Sequence, residues 1–116
     1  MGNTIERDKV FITSINLANT IGLNKSIVLN QIYHCIEENG KLIDGNKWIC
    51  SSFESWSKIF TFWSLNTIKR IFKSLEEDGI IVSGVYNDDI FDKTKWYAIN
   101  YDKVLSVGIN LTCDLF

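Results

Sequence analysis

The sequence predicts an α+β fold of three to four helices and a small antiparallel sheet, from three observations. From Leu65 the apolar residues are Leu65, Ile68, Ile71, Phe72 and Leu75, steps of three and four that draw one helical face. A shorter helical pattern, Phe53, Trp56, Ile59 and Phe60, precedes it across the tight connection Thr61-Phe62-Trp63. Two β-rich runs, Ile80 to Tyr86 and Lys95 to Tyr101, follow, separated by the polar loop Asn87 to Thr94. Two helices joined by a tight turn and followed by a hairpin are the parts of a winged helix-turn-helix.

The remaining elements follow in chain order. Residues 1–10 are polar and expected to be flexible, residues 11–104 form the domain, and residues 105–116 are a C-terminal extension. A short helix is expected around Ile15 to Ile21, broken by Gly22. Asn24 suits the N-cap of a helix from Lys25 to Glu38, which stops at Asn39-Gly40. Lys41 to Lys47 reads as a loop around the turn pair Asp44-Gly45, and Trp48-Ile49-Cys50 as a brief edge strand completing a three-stranded sheet. Ser51 with Glu54 has capping-box spacing for the helix Phe53 to Phe60. Ser64 is the N-cap of the next helix, which ends at Asp78-Gly79. Asp102 to Val107 is expected to form a last helical turn. The apolar tail INLTCDLF either packs on the domain or contacts a second subunit.

Composition excludes several classes. At 116 residues, 46% hydrophobic and 22% charged, the chain fits one soluble domain with a real core. No apolar run is long enough to span a membrane, and the charged N-terminus is not a signal peptide, so a cytoplasmic location is expected. Cys35, Cys50 and Cys113 form no CxxC pair and His34 is the sole histidine, so no metal or other cofactor is expected. Neither a Gly-rich phosphate loop nor a nucleophile with a placed base is evident, and no enzyme is expected.

The net charge of −2 hides a local basic segment: from Ser55 to Leu75 the charges are Lys58, Lys69, Arg70 and Lys73, with no acid. At about 100° per residue from Leu65, the apolar residues of that helix fall at roughly 240° to 360°. Asn66, Arg70, Lys73, Ser74 and Glu77 lie opposite, flanked by Thr67 and Lys69. The major groove of DNA admits a helix; Arg pairs with guanine and Asn with adenine there. Ser64, Asn66 and Thr67 sit at the helix N-terminus, where free N–H groups favour a phosphate, and Lys58 is placed to hold a backbone phosphate. Lys93 and Lys95 on the hairpin loop are further candidates, opposed by Asp88, Asp89 and Asp92 in the same loop. The plainer reading of each group also stands: a solvated basic face, ordinary first-turn residues, Trp63 as core, and His34 as a surface or half-buried structural residue.

The stretch Trp48 to Val104 resembles the winged-helix domain of phage- and plasmid-borne replication proteins of Gram-positive bacteria, among them replisome-organiser and DnaD-like initiators. The residues that carry the resemblance are Trp48 with Trp56, Phe62-Trp63-Ser64 with Thr67-Ile68, Leu75-Glu76 with Gly79, Asp92 with Thr94-Lys95-Trp96-Tyr97, and Tyr101-Asp102. Leu17 to Gly40 fits the same pattern. The chain departs from the family in having Thr61 where proline is usual, and around Cys35, near which the family often has an aromatic residue. Such initiators usually carry a second domain, so the chain is expected to be a fragment or a small free-standing relative. The resemblance implies double-stranded DNA binding, with a role in replication initiation or in regulating a mobile element and replication proteins among the expected partners. A homodimer is expected separately, because palindromic sites call for two-fold symmetry and the tail Ile109 to Phe116 is apolar. The alternative expectation is a protein-interaction module, such as a phage-encoded inhibitor of a host protein.

Overall fold

A computed structural model of the chain describes residues 11–110 and 113–115. Residues 1–10, expected to be flexible, lie outside the described residues, as do Leu111, Thr112 and Phe116. The described residues form an α+β unit of five helices and one four-stranded antiparallel sheet, one helix and one strand more than the sequence predicts. In chain order these are α1 (Ile15–Ile21), α2 (Leu23–Asn39), β1 (Lys41–Ile43), β2 (Asn46–Cys50), α3 (Phe53–Ile59), α4 (Leu65–Glu77), β3 (Ile81–Gly84), β4 (Trp96–Ile99) and α5 (Tyr101–Ser106).

Helix α1 starts at Ser14, whose hydroxyl accepts from the Leu17 N–H. Helix α2 begins two residues earlier than expected, with Gly22 as its N-cap and Asn24 already in its first turn. Gly22 has φ of +98°, a conformation that glycine adopts without strain, so the chain turns directly from α1 into α2. Helix α2 packs against α1, α4 and the strands β2 and β4. Its contacts reach around much of its circumference, burying polar Ser26 and Asn30 as well as Val28, Leu29, Ile32 and Ile36.

The segment read as a loop, Lys41 to Lys47, is a β-hairpin. Asp44 and Gly45 both have positive φ, +50° and +86°, the two-residue turn whose twist matches that of paired strands. Lys41 pairs with Trp48 and Ile43 with Asn46. The Trp48 strand is therefore not an edge: β2 lies between β1 and β4 in the sheet order β1-β2-β4-β3. Ile49 and Cys50 face Tyr97 and Trp96 across the β2–β4 pair.

The cap of α3 is Ser52, not Ser51; its hydroxyl accepts from the Ser55 N–H at 3.1 Å. The physical reason is the sheet: Cys50 is still paired with Trp96, so Ser51 is needed to leave the strand. Strands β3 and β4 are shorter than the runs that predict them, and α5 starts at Tyr101, capped by Asn100.

The core lies between the helices and the sheet. Phe72 of α4 is at its centre, fully buried, with ring contacts to Phe53, Trp56 and Tyr97. The tail joins this core: Ile109 and Leu115 are buried in their own chain. Asp114 fastens the tail to α1 by accepting from the Ser14 hydroxyl at 2.8 Å, the Asn16 amide at 2.7 Å and the Asn110 N–H at 2.8 Å. Those donors, the Asn110 N–H first and the Asn16 amide next, hold its carboxyl below the usual carboxylate range.

Candidate nucleic-acid interface

Helix α3 ends at Ile59 with Phe60 as its C-cap, and a turn closed by the Trp63 N–H on the Phe60 carbonyl, 3.2 Å, leads into Ser64. Ser64 caps α4: its hydroxyl accepts from the Thr67 N–H at 3.2 Å and lies 3.0 Å from the Thr67 hydroxyl. These two residues are thus partly committed to each other, and Thr67 is half-buried. Trp63 is also half-buried, stacked at a tilt on Phe60.

Helix α4 turns Ile68, Ile71, Phe72 and Leu75 into the core and leaves Asn66, Lys69, Arg70, Lys73 and Glu77 exposed. Neither Arg70 nor Lys73 forms an ion pair among the described residues. Lys69 Nζ lies 5.8 Å from the centre of the Phe53 ring, a cation–π contact that keeps its charge at the surface. Lys58 is exposed in the last turn of α3.

Two of the acids at the C-terminal end of α4 are engaged away from this face. Asp78 pairs with Lys25 at 2.7 Å, and Glu76 accepts from the Ser83 hydroxyl at 3.1 Å. The basic face is thus not neutralised by ion pairing within its own helix.

The loop between β3 and β4 is held by its own side chains. The Asn87 amide donates to the carbonyls of Asp92 and Thr94, both at 2.9 Å, while its oxygen accepts from the Trp96 indole at 2.7 Å. Asp89 accepts from the Phe91 N–H at 2.9 Å. Asp92 accepts from the Thr94 hydroxyl at 2.7 Å and its N–H at 3.0 Å, and these bonds lower the Asp92 pKa. Lys93 and Lys95 are exposed on this loop, in the company of charged Asp92 and exposed Asp88 and Asp89.

Sequence reasoning missed two apolar features. Leu65, assigned to the core face of α4, is 38% exposed, and Phe62 in the preceding turn is 56% exposed. At the loop tip Ile90 and Phe91 are 74% and 84% exposed. Hydrophobicity alone places such residues inside, and only the geometry of the turns puts them outside.

The other candidates are quiet. His34 is exposed and 3.2 Å from Glu38 one turn along α2. Burial raises the pKa of the Cys35 and Cys50 thiols. Among the described residues no group of three or more His, Cys, Asp or Glu side chains is placed to hold a metal, and no helix is long and apolar enough to cross a membrane. No family model, curated protein or solved structure matches the chain.

Proposed function

We propose that the chain is a winged helix-turn-helix protein that binds double-stranded DNA, with α3 and α4 as the helix-turn-helix, α4 as the recognition helix, and the β3–β4 hairpin as the wing. The observation that carries this reading is the exposed face of α4, where Asn66, Lys69, Arg70 and Lys73 stand opposite a buried apolar face without ion-paired acids. Such a face offers hydrogen-bonding groups to base edges and cations to phosphates. The element order supports the same reading: within α2, β1, β2, α3, α4, β3, β4, two helices joined by a turn lead directly into a hairpin. Contact runs through Lys58 and the first turns of α4, with Lys93 and Lys95 reaching the backbone only if the hairpin tip swings its aspartates clear. The resemblance to phage and plasmid replication proteins supports a cytoplasmic role in replication initiation or in regulating a mobile element. Selection from random duplex DNA at low salt tests this. Enrichment of a common sequence is expected; failure to retain any duplex refutes the reading.

A second reading has its own observation. Ile90 and Phe91 stand in water at the tip of a loop ordered by Asn87 and ringed by Asp88, Asp89 and Asp92. An ordered apolar tip with an acidic rim suits a protein partner better than a phosphate backbone. On this reading no duplex is retained at low salt, a host protein is captured in a stable complex, and Phe91→Ser abolishes that complex.

A further inference from the structure

Two large apolar side chains stand in solvent in the turn before α4 and at its first residue. Phe62 is 56% exposed and Leu65 is 38% exposed. Phe62 is not loosely placed. Its ring sits edge-on to Trp63 at 4.6 Å, to Phe11 at 5.6 Å and to Phe60 at 6.4 Å. Three rings hold it outward instead of letting it fold into the core. Leu65 opens α4, one turn ahead of Lys69 and two ahead of Lys73 along the same row, and is followed at once by exposed Asn66.

The cations of the same segment, Lys58, Lys69, Arg70 and Lys73, match a polyanion. In the major groove of a duplex, one base group is apolar: the 5-methyl of thymine. We propose that Phe62 and Leu65 pack on thymine 5-methyl groups when α4 enters the groove, so that the pair reads thymine next to the position addressed by Asn66. The inference rests on the DNA-binding reading and adds to it a base preference that the charged residues alone do not supply.

The test takes the duplex recovered by selection and replaces each thymine in turn by deoxyuridine, which differs only in the missing methyl. At fixed salt, replacement at one or two positions is expected to weaken binding by about fourfold each, the value of one methyl group withdrawn from apolar contact. In Leu65→Ala and Phe62→Ser proteins the penalty at the matching position disappears, because no partner remains for the methyl to lose. A duplex that binds wild-type protein equally well with every thymine replaced overturns the inference and leaves the DNA-binding reading standing. Absence of binding to any duplex overturns both. Should either variant fail to fold, the wild-type replacement series decides alone.

Discussion

Replacing Arg70 and Lys73 together by alanine removes two of the four cations, Lys58, Lys69, Arg70 and Lys73, that border the proposed DNA face. Both side chains are exposed and in no ion pair among the described residues, so the fold is expected to keep its stability within about 0.5 kcal/mol. Binding responds through counterion release, about 0.9 in the slope of log K against log salt for each phosphate contacted. Four contacts give a slope of about −3.6, and the double variant about −1.8. Between about 50 and 200 mM salt the wild-type protein then loses about 150-fold in affinity and the variant about 12-fold. Fluorescence anisotropy of a labelled duplex, titrated at several salt concentrations, reads both slopes. Identical slopes and affinities for the two proteins refute the assignment of this face. Weaker binding with an unchanged slope assigns the pair to base edges instead of phosphates.

Three further expectations concern the scaffold. Tyr97 is buried with its hydroxyl lacking a hydrogen-bond partner among the described residues, and burial, helped by Glu76, raises its pKa; Tyr97→Phe should be neutral or stabilise by up to about 1 kcal/mol in chemical denaturation. Asp114, whose carboxyl is held below its usual value, contributes stability that is complete above the unfolded-state pKa and lost as pH falls through the folded one; Asp114→Asn should flatten that acid-side loss in melts run from neutral pH downward. Gly45 at φ +86° meets no atom that an added methyl would strike, so Gly45→Ala reports backbone strain alone, about 1–2 kcal/mol read as a lower melting temperature.

Legibility from sequence followed how much each element depends on itself. Helix α4 was readable almost to the residue because a capping serine, an apolar stripe and Gly79, at φ +76°, all agree on its limits. Strand β1 was not, since it buries little: Lys41 and Leu42 are exposed, Leu42 at 68%, and no alternation marks it. The Asp44-Gly45 pair carried the hairpin signal, but without an alternating strand ahead of it the pair reads equally well as a loop. The caps of α2 and α3 were misplaced by neighbours that act only in the fold, the left-handed Gly22 and the Cys50–Trp96 pairing. In the candidate site, Lys58, Asn66, Lys69, Arg70 and Lys73 emerged from charge and periodicity. Phe62 and Leu65 did not, because the turn that turns them outward is a matter of three dimensions.

The junction between β2 and β4 has a consequence for motion. Ile49 opposite Tyr97 and Cys50 opposite Trp96 close a loop of chain that contains α3, α4 and β3. Closing a loop of that length costs on the order of 3–4 kcal/mol in chain entropy, so the clasp and the packing of its contents must stand or fall together. Amide hydrogens in α3 and α4 should therefore exchange with solvent at the same opening free energy as those of the two clasping strands, as one foldon. The orientation in which α4 presents its exposed face is then a property of the sheet, and a substitution at Ile49, a strand residue outside that face, would loosen it.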